Sequence, residues 1–116
     1  MLNTGFEWCP LQFSIDEHNF TVISVDGNPV EPVYLKSFYI NPGERVDFVL
    51  NANQNASKNY WIKVKGHGVC GENDSKIYQT AILKYNILKH DLPEQAINYE
   101  NSGPDFKGIV SFGYSF

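Results

Sequence analysis

Short runs of β-branched and aromatic residues recur through residues 1–85, and residues that favour turns close each run. The stretch Phe20–Val25 is rich in residues with high strand propensity. Residues 26–29 (DGNP) are predicted to end this strand, and residues 41–44 (NPGE) have similar turn chemistry. Repeated short strands with turns between them predict an all-β sandwich or barrel.

Two further segments alternate between apolar and polar residues, which is the pattern of a half-buried strand. Val46, Phe48 and Leu50 share one face of residues 45–50. In residues 60–65 (YWIKVK), one face has Tyr60, Ile62 and Val64. The opposite face has Trp61 and the two lysines. Strands are also predicted over residues 33–40 and 77–85, and no segment has sustained helical periodicity.

Composition narrows the classes of function. The 116 residues carry a formal net charge of −4, and the nine lysines and arginines are scattered. A nucleic-acid-binding domain usually has a basic stripe, so nucleic acid is not an expected partner. The chain has no apolar run near the roughly 18 residues that span a bilayer, and no membrane span is expected.

The chain has features of the secretory pathway. Asn19, Asn55 and Asn73 each begin an N-x-[ST] glycosylation sequon. The two cysteines, Cys9 and Cys70, can form one disulfide or remain two thiols. The sequons favour the disulfide, because they indicate an oxidising compartment. We therefore predict a secreted, extracellular glycoprotein with a disulfide between Cys9 and Cys70.

Four motifs, in order and at similar spacing, resemble the second domain of laccase-like multicopper oxidases, the arthropod type in particular. They are residues 9–27 (CPLQFSIDEHNFTVISVDG), 42–52 (PGERVDFVLNA), 60–70 (YWIKVKGHGVC) and 81–85 (AILKY). The resemblance implies a cupredoxin-like Greek-key β-sandwich or barrel. It also implies that residues 1–85 are the middle domain, incomplete on its N-terminal side, and that residues 86–116 are a linker toward a third domain.

The histidines do not have the spacing of a copper site. Type 1 copper takes two histidines, one cysteine and a weak axial methionine. The chain has His18, His67, His90 and a single methionine, Met1, and no two histidines form a His-x-His pair. We therefore expect no metal-binding residue in this segment.

We expect no catalytic residue either. The pair His67 and Cys70 could hold zinc only with two further ligands, and a disulfide at Cys70 is favoured over that hypothesis. An acid–base role for His18 with Asp16 or Glu17 is less favoured than local hydrogen bonding in a turn.

Function follows from the resemblance. It implies a parent enzyme that takes single electrons from phenols or similar small donors and reduces dioxygen to water. Copper would lie in the flanking cupredoxin domains, and this segment would be their copper-free scaffold, inactive alone. A preference for ferrous iron or ascorbate stays open. The alternative is a stand-alone secreted β-sandwich that binds a ligand through Tyr34, Tyr39, Tyr60 and Trp61.

Overall fold

The computed structural model describes residues 1–5, 8–72, 74, 76–88, 90–94, 97–100 and, for the backbone alone, 110–111. Within these residues the chain forms eight strands and one short 3₁₀ turn, Gly68–Gly71. The strands are β1 Leu11–Ile15, β2 Phe20–Val25, β3 Asn28–Leu35, β4 Ser37–Ile40, β5 Val46–Leu50, β6 Asn59–Gly66, β7 Tyr78–Lys84 and β8 Val110–Ser111. The prediction of an all-β fold is confirmed. No helix among the described residues has the length and apolar character needed to cross a membrane.

The strands form two sheets that enclose one core. A large sheet has the order β7-β6-β1-β4-β8, and a small sheet has the order β3-β2-β5. All pairings between neighbouring strands are antiparallel except that of β4 with β8. Because β1 lies between β4 and β6 rather than beside β2, the chain crosses repeatedly between the two sheets, as in Greek-key sandwiches.

Asp26 and Gly27 form a tight hairpin turn between β2 and β3. Both have positive φ, 51° and 81°, which is the backbone geometry that a two-residue turn needs to match the twist of its strands. The backbone N–H of Arg45 donates to Asp26 Oδ1 at 2.9 Å. The predicted turn over residues 26–29 was therefore too long, because Asn28 and Pro29 already belong to β3.

The prediction of one strand over residues 33–40 was wrong. Leu35 pairs with Phe20 in the small sheet, whereas Ser37 pairs with Ser14 in the large sheet. The chain changes sheets at Lys36, so the segment contributes to two strands, β3 and β4. Both halves contain apolar and aromatic residues, so the composition alone gave no sign of the break.

Four phenylalanine rings form the centre of the core. Every pair among Phe13, Phe20, Phe38 and Phe48 has ring centroids between 5.1 and 5.8 Å apart. Fully burying one such side chain stabilises a fold by about 1.5–3 kcal/mol. The predicted inward face of β5 is confirmed, since Val46 is fully buried and Phe48 and Leu50 pack against the core.

The outer face of the large sheet also has buried residues, although they are polar. Gln12 and Ser14 are buried on the side of β1 opposite Phe13 and Ile15. Near this sheet, the hydroxyl of Tyr99 donates to the carbonyl oxygen of Gly66 at 2.8 Å. The division of the chain at residue 85 stays a prediction, but Tyr99 and β8 both contact the large sheet.

Candidate functional site

The disulfide lies at the end of β6. Cys9 and Cys70 are bonded, with their Cα atoms 6.0 Å apart. The backbone N–H of Ile77 donates to the Cys70 carbonyl at 2.9 Å, which holds the 3₁₀ turn next to the start of β7. A Cβ atom on Gly66 would lie 2.7 Å from Cys70 Cβ and from the Cys70 carbonyl oxygen, so only glycine fits there. The bond thus attaches the segment before β1 to the β6–β7 connection.

His67 precedes the 3₁₀ turn and reaches back to the large sheet. Its Nε2 atom lies 2.8 Å from Gln12 Oε1, and Gln12 Nε2 donates to Ser37 Oγ at 3.2 Å. Since an amide oxygen only accepts, Nε2 of His67 has the proton. Burial, and then the nearby charge of Lys65, lower the pKa of His67 below its ordinary value. His67 therefore connects the residue before the 3₁₀ turn to Gln12 on the outer face of the large sheet.

His18 is buried in the turn between β1 and β2. Its Nδ1 atom lies 2.7 Å from the carbonyl oxygen of Asp16, and its Nε2 atom lies 2.6 Å from the hydroxyl of Tyr85. The ring also packs edge-on against Tyr60, with centroids 4.9 Å apart. The predicted local hydrogen bond is present, and the sequence analysis missed the long-range bond to Tyr85.

His90 lies on the surface after β7, where Lys84 Nζ donates to its Nδ1 atom at 3.5 Å. Its contact is therefore with a cation, which disfavours a bound metal ion at the same nitrogen.

The sequence analysis missed an ion pair between a buried lysine and a partly exposed aspartate. Lys63 Nζ lies 2.7 Å from Asp16 Oδ1, and the Lys63 side chain is only 7% exposed. The alternation of residues 60–65 correctly placed Lys63 on the face opposite the core. Lys63 is nevertheless buried on that face, as are Gln12 and Ser14 of β1. In the sheet, Lys63 lies directly opposite Ser14 of β1, and the acidic Asp16 is two residues further along the chain.

A model of the multicopper oxidase family matches residues 7–87. The chain belongs to the multicopper oxidase family. A laccase of Neurospora crassa is 37% identical over 95 residues, which cover 80% of this chain and 15% of that protein. A laccase of Trametes maxima is 44% identical over 75 residues, which cover 64% of this chain and 14% of that protein. This multicopper oxidase segment therefore spans less than a fifth of either relative.

Solved structures agree with the family and the fold. A laccase from Botrytis aclada has a TM-score of 0.68 and 30% identity, covering 86% of this chain and 17% of that one. Fet3p, a multicopper oxidase that functions in iron import, has a TM-score of 0.65 at 19% identity and shows the fold alone. It covers 84% of this chain and 19% of that one. The cupredoxin-like fold is thus confirmed. The laccases of Neurospora crassa and Trametes maxima are fungal proteins, and the middle position and arthropod type of this chain stay predictions.

The described residues of this multicopper oxidase segment do not fit a copper ion. Both cysteine sulfurs are in the disulfide, so neither can act as the thiolate that type 1 copper takes. His18 and His67 each use ring nitrogens in contacts within the protein. Within the described part of the chain, no three or more His, Cys, Asp or Glu side chains are grouped to hold a metal ion.

The four aromatic residues of the alternative binding module do not share a surface. Tyr60 is 2% exposed and belongs to the core, whereas Tyr34 is exposed on the small sheet. Tyr39 packs edge-on against His67, with centroids 5.0 Å apart, and Trp61 is half-buried on β6. A joint aromatic platform is therefore not formed in this multicopper oxidase segment.

Two of the three predicted glycosylation sites lie in described parts of the chain. Asn19 is half-buried at the start of β2, and its Nδ2 atom donates to the Tyr34 hydroxyl at 2.7 Å. Asn55 is in an exposed loop, where its Oδ1 atom accepts from the Ser57 backbone at 2.9 Å. Asn73 lies outside the described residues.

Proposed function

We propose that this chain is the middle, copper-free cupredoxin domain of a laccase-like multicopper oxidase. Its function is to hold two copper-bearing domains of the same parent chain in the right relative position. The engagement of His18 and His67 by the protein itself supports this proposal most directly. A copper ion would have to displace these contacts.

A rigid spacer has a physical purpose in such an enzyme. Reaction rates that depend on atoms held between separate domains fall steeply when those atoms move by about 1 Å. The four packed phenylalanine rings and the Cys9–Cys70 disulfide both limit such movement in this domain.

For the parent we propose oxidation of phenols or similar one-electron donors. Four donors each lose one electron, and dioxygen takes up these four electrons with four protons to give two waters. Bound copper in the flanking domains would supply the redox chemistry. The names of the fungal relatives support the proposal, although this chain spans only 15% of the Neurospora protein.

We propose further that the parent is secreted. A disulfide that closes a long loop is typical of proteins that fold in an oxidising compartment, and sequons are used only there. The laccase relatives are consistent with this location.

Copper content and oxidase activity of the purified chain test the scaffold role. The chain is dialysed against cupric ion, freed of weakly bound metal, and measured by mass spectrometry for copper and spectrophotometrically for phenol oxidation. We expect less than one copper in ten chains and no turnover. One tightly bound copper per chain with turnover would refute the scaffold role.

The parent enzyme allows a sharper test. His67→Gln in the full-length protein should leave the number of coppers per molecule unchanged, because His67 binds Gln12 rather than metal. His90→Gln is the matched control at an exposed histidine. Loss of one copper from the His67 variant alone would contradict the proposal.

A further inference from the structure

The outer face of the small sheet has a group of exposed apolar side chains, beside the exposed Asp47 of β5. Thr21 lies at its centre, in register with Tyr34 on one side and Val49 on the other. Tyr34 is 69% exposed, Val49 46% and Ile23 40%. These three apolar side chains lie close together on one face and offer a surface on which a ligand can pack.

Asn19 stands at the rim of this face. Since side chains alternate along a strand, Asn19 lies on the same side as Thr21 and Ile23, opposite the buried Phe20 and Val22. Its Nδ2 atom is 2.7 Å from the Tyr34 hydroxyl. This nitrogen is the atom to which an N-linked sugar attaches, and Asn19-Phe20-Thr21 is a sequon.

We propose that an N-linked glycan on Asn19 covers the outer face of the small sheet, with its first N-acetylglucosamine stacked on the ring of Tyr34. The inference rests on the secreted location proposed above. A sugar bonded to Nδ2 begins beside the Tyr34 ring, because the nitrogen is already within hydrogen-bonding distance of the ring's hydroxyl. The apolar C–H face of the sugar then covers the ring, which would otherwise remain in water.

The attachment is a glycosyl transfer from a lipid-linked oligosaccharyl diphosphate. The bond from sugar C1 to the diphosphate oxygen breaks and the lipid diphosphate leaves with the electron pair, while a bond from C1 to Asn19 Nδ2 forms and the proton lost by the amide passes to a base of the transferring enzyme. The linked amide retains one N–H, which is the donor required for the contact with the Tyr34 hydroxyl.

Asn55 provides an internal comparison. Its side-chain oxygen accepts from both the backbone and the hydroxyl of Ser57, at 2.9 and 2.8 Å. The residue lies in an exposed loop outside the small sheet. A sugar on Asn55 therefore extends into solvent and serves as the unstacked reference.

The experiment uses the whole chain, secreted from a eukaryotic host, with site occupancy measured by mass spectrometry of glycopeptides. The glycans are then trimmed to single sugars, and their proton resonances are recorded by NMR. We expect the Asn19 sugar to be shifted upfield by the Tyr34 ring and to show nuclear Overhauser contacts to it. In Tyr34→Thr, both effects should disappear, and the Asn19 sugar should resemble the Asn55 sugar.

The outcomes separate the proposals. A sugar on Asn55 with none on Asn19 would overturn this inference and leave the secreted location intact. The absence of a sugar from both Asn19 and Asn55, in a chain exported behind an added leader, would overturn this inference and remove the support that the sequons give to the secreted location. An occupied Asn19 whose sugar resonances do not change in Tyr34→Thr would overturn the stacking.

Discussion

The hydroxyl of Tyr85 lies 2.6 Å from Nε2 of His18, although 67 residues separate them in the sequence. Nδ1 of His18 faces the carbonyl oxygen of Asp16, so Nδ1 has the proton and Nε2 accepts from the tyrosine. The Tyr85 oxygen also accepts from the backbone N–H of Gln54 at 3.1 Å. One hydroxyl thus joins the β1–β2 turn, the β5–β6 loop and the segment after β7.

Tyr85→Phe is expected to destabilise the chain by about 1–3 kcal/mol. The substitution keeps the ring but leaves His18 Nε2 and the Gln54 N–H without their bonds in a largely buried place. Urea unfolding followed by fluorescence measures the change in free energy. Tyr78→Phe on the exposed part of β7 is the control, and equal stability of the two variants would contradict the role of the hydroxyl.

Asp16→Asn should cost about 2–3 kcal/mol of unfolding free energy. The substitution leaves the Lys63 ammonium buried on the outer face of the large sheet without its carboxylate. Adding Lys63→Met to the first variant should recover part of the loss, because an apolar side chain needs no counter-charge there. Denaturant unfolding of the two single variants and the double variant gives the coupling. Additive losses would show that the pair does not interact.

Removing the disulfide should lower stability by about 4 kcal/mol, because it closes a loop of sequence separation 61. The double variant Cys9→Ala with Cys70→Ala tests this by thermal and urea unfolding. Reducing agent should destabilise the unsubstituted chain to a similar extent and leave the double variant unaffected. A double variant as stable as the unreduced chain would show that the bond contributes little.

Acid should weaken the fold through His67. The pKa of His67 is lowered in the folded state, mainly by burial, so the unfolded chain binds more protons near pH ~6. Its contribution is therefore intact above about pH 6.5 and is lost as the pH falls toward the lower folded pKa.

The test is the change in unfolding free energy between pH ~7.5 and ~5. This change in unfolding free energy should be smaller in His67→Gln than in the unsubstituted chain. His90→Gln, at an exposed position, should show the same change in unfolding free energy as the unsubstituted chain. The same pH dependence in all three chains would show that His67 does not contribute.

Local patterns predicted several elements well. The ends of Phe20–Val25 match those of β2, because a run of β-branched and aromatic residues there meets a strong Asp-Gly turn. The inward face of β6 was also predicted correctly, since Tyr60 is buried and Ile62 and Val64 pack against the core. These predictions needed only side-chain alternation and turn chemistry, which are local properties.

Other features depend on distant parts of the chain and could not be derived from local patterns. The switch of sheets at Lys36 is set by which strands lie beside Leu35 and Ser37. The burial of Lys63 depends on what covers the large sheet, and strand β8 depends on its pairing with β4. The bond between His18 and Tyr85 likewise depends on where β7 positions the residue that follows it.

The central position of β2 imposes an order in time on the maturation of this chain. Once β2 is hydrogen-bonded to β3 and β5, with Phe20 fully buried, residues 19–21 cannot enter the cleft of a modifying enzyme. Any sugar on Asn19 must therefore be added while the new chain is still emerging, before the hairpin closes. Asn55 lies in an exposed loop and remains accessible to a modifying enzyme after the chain has folded.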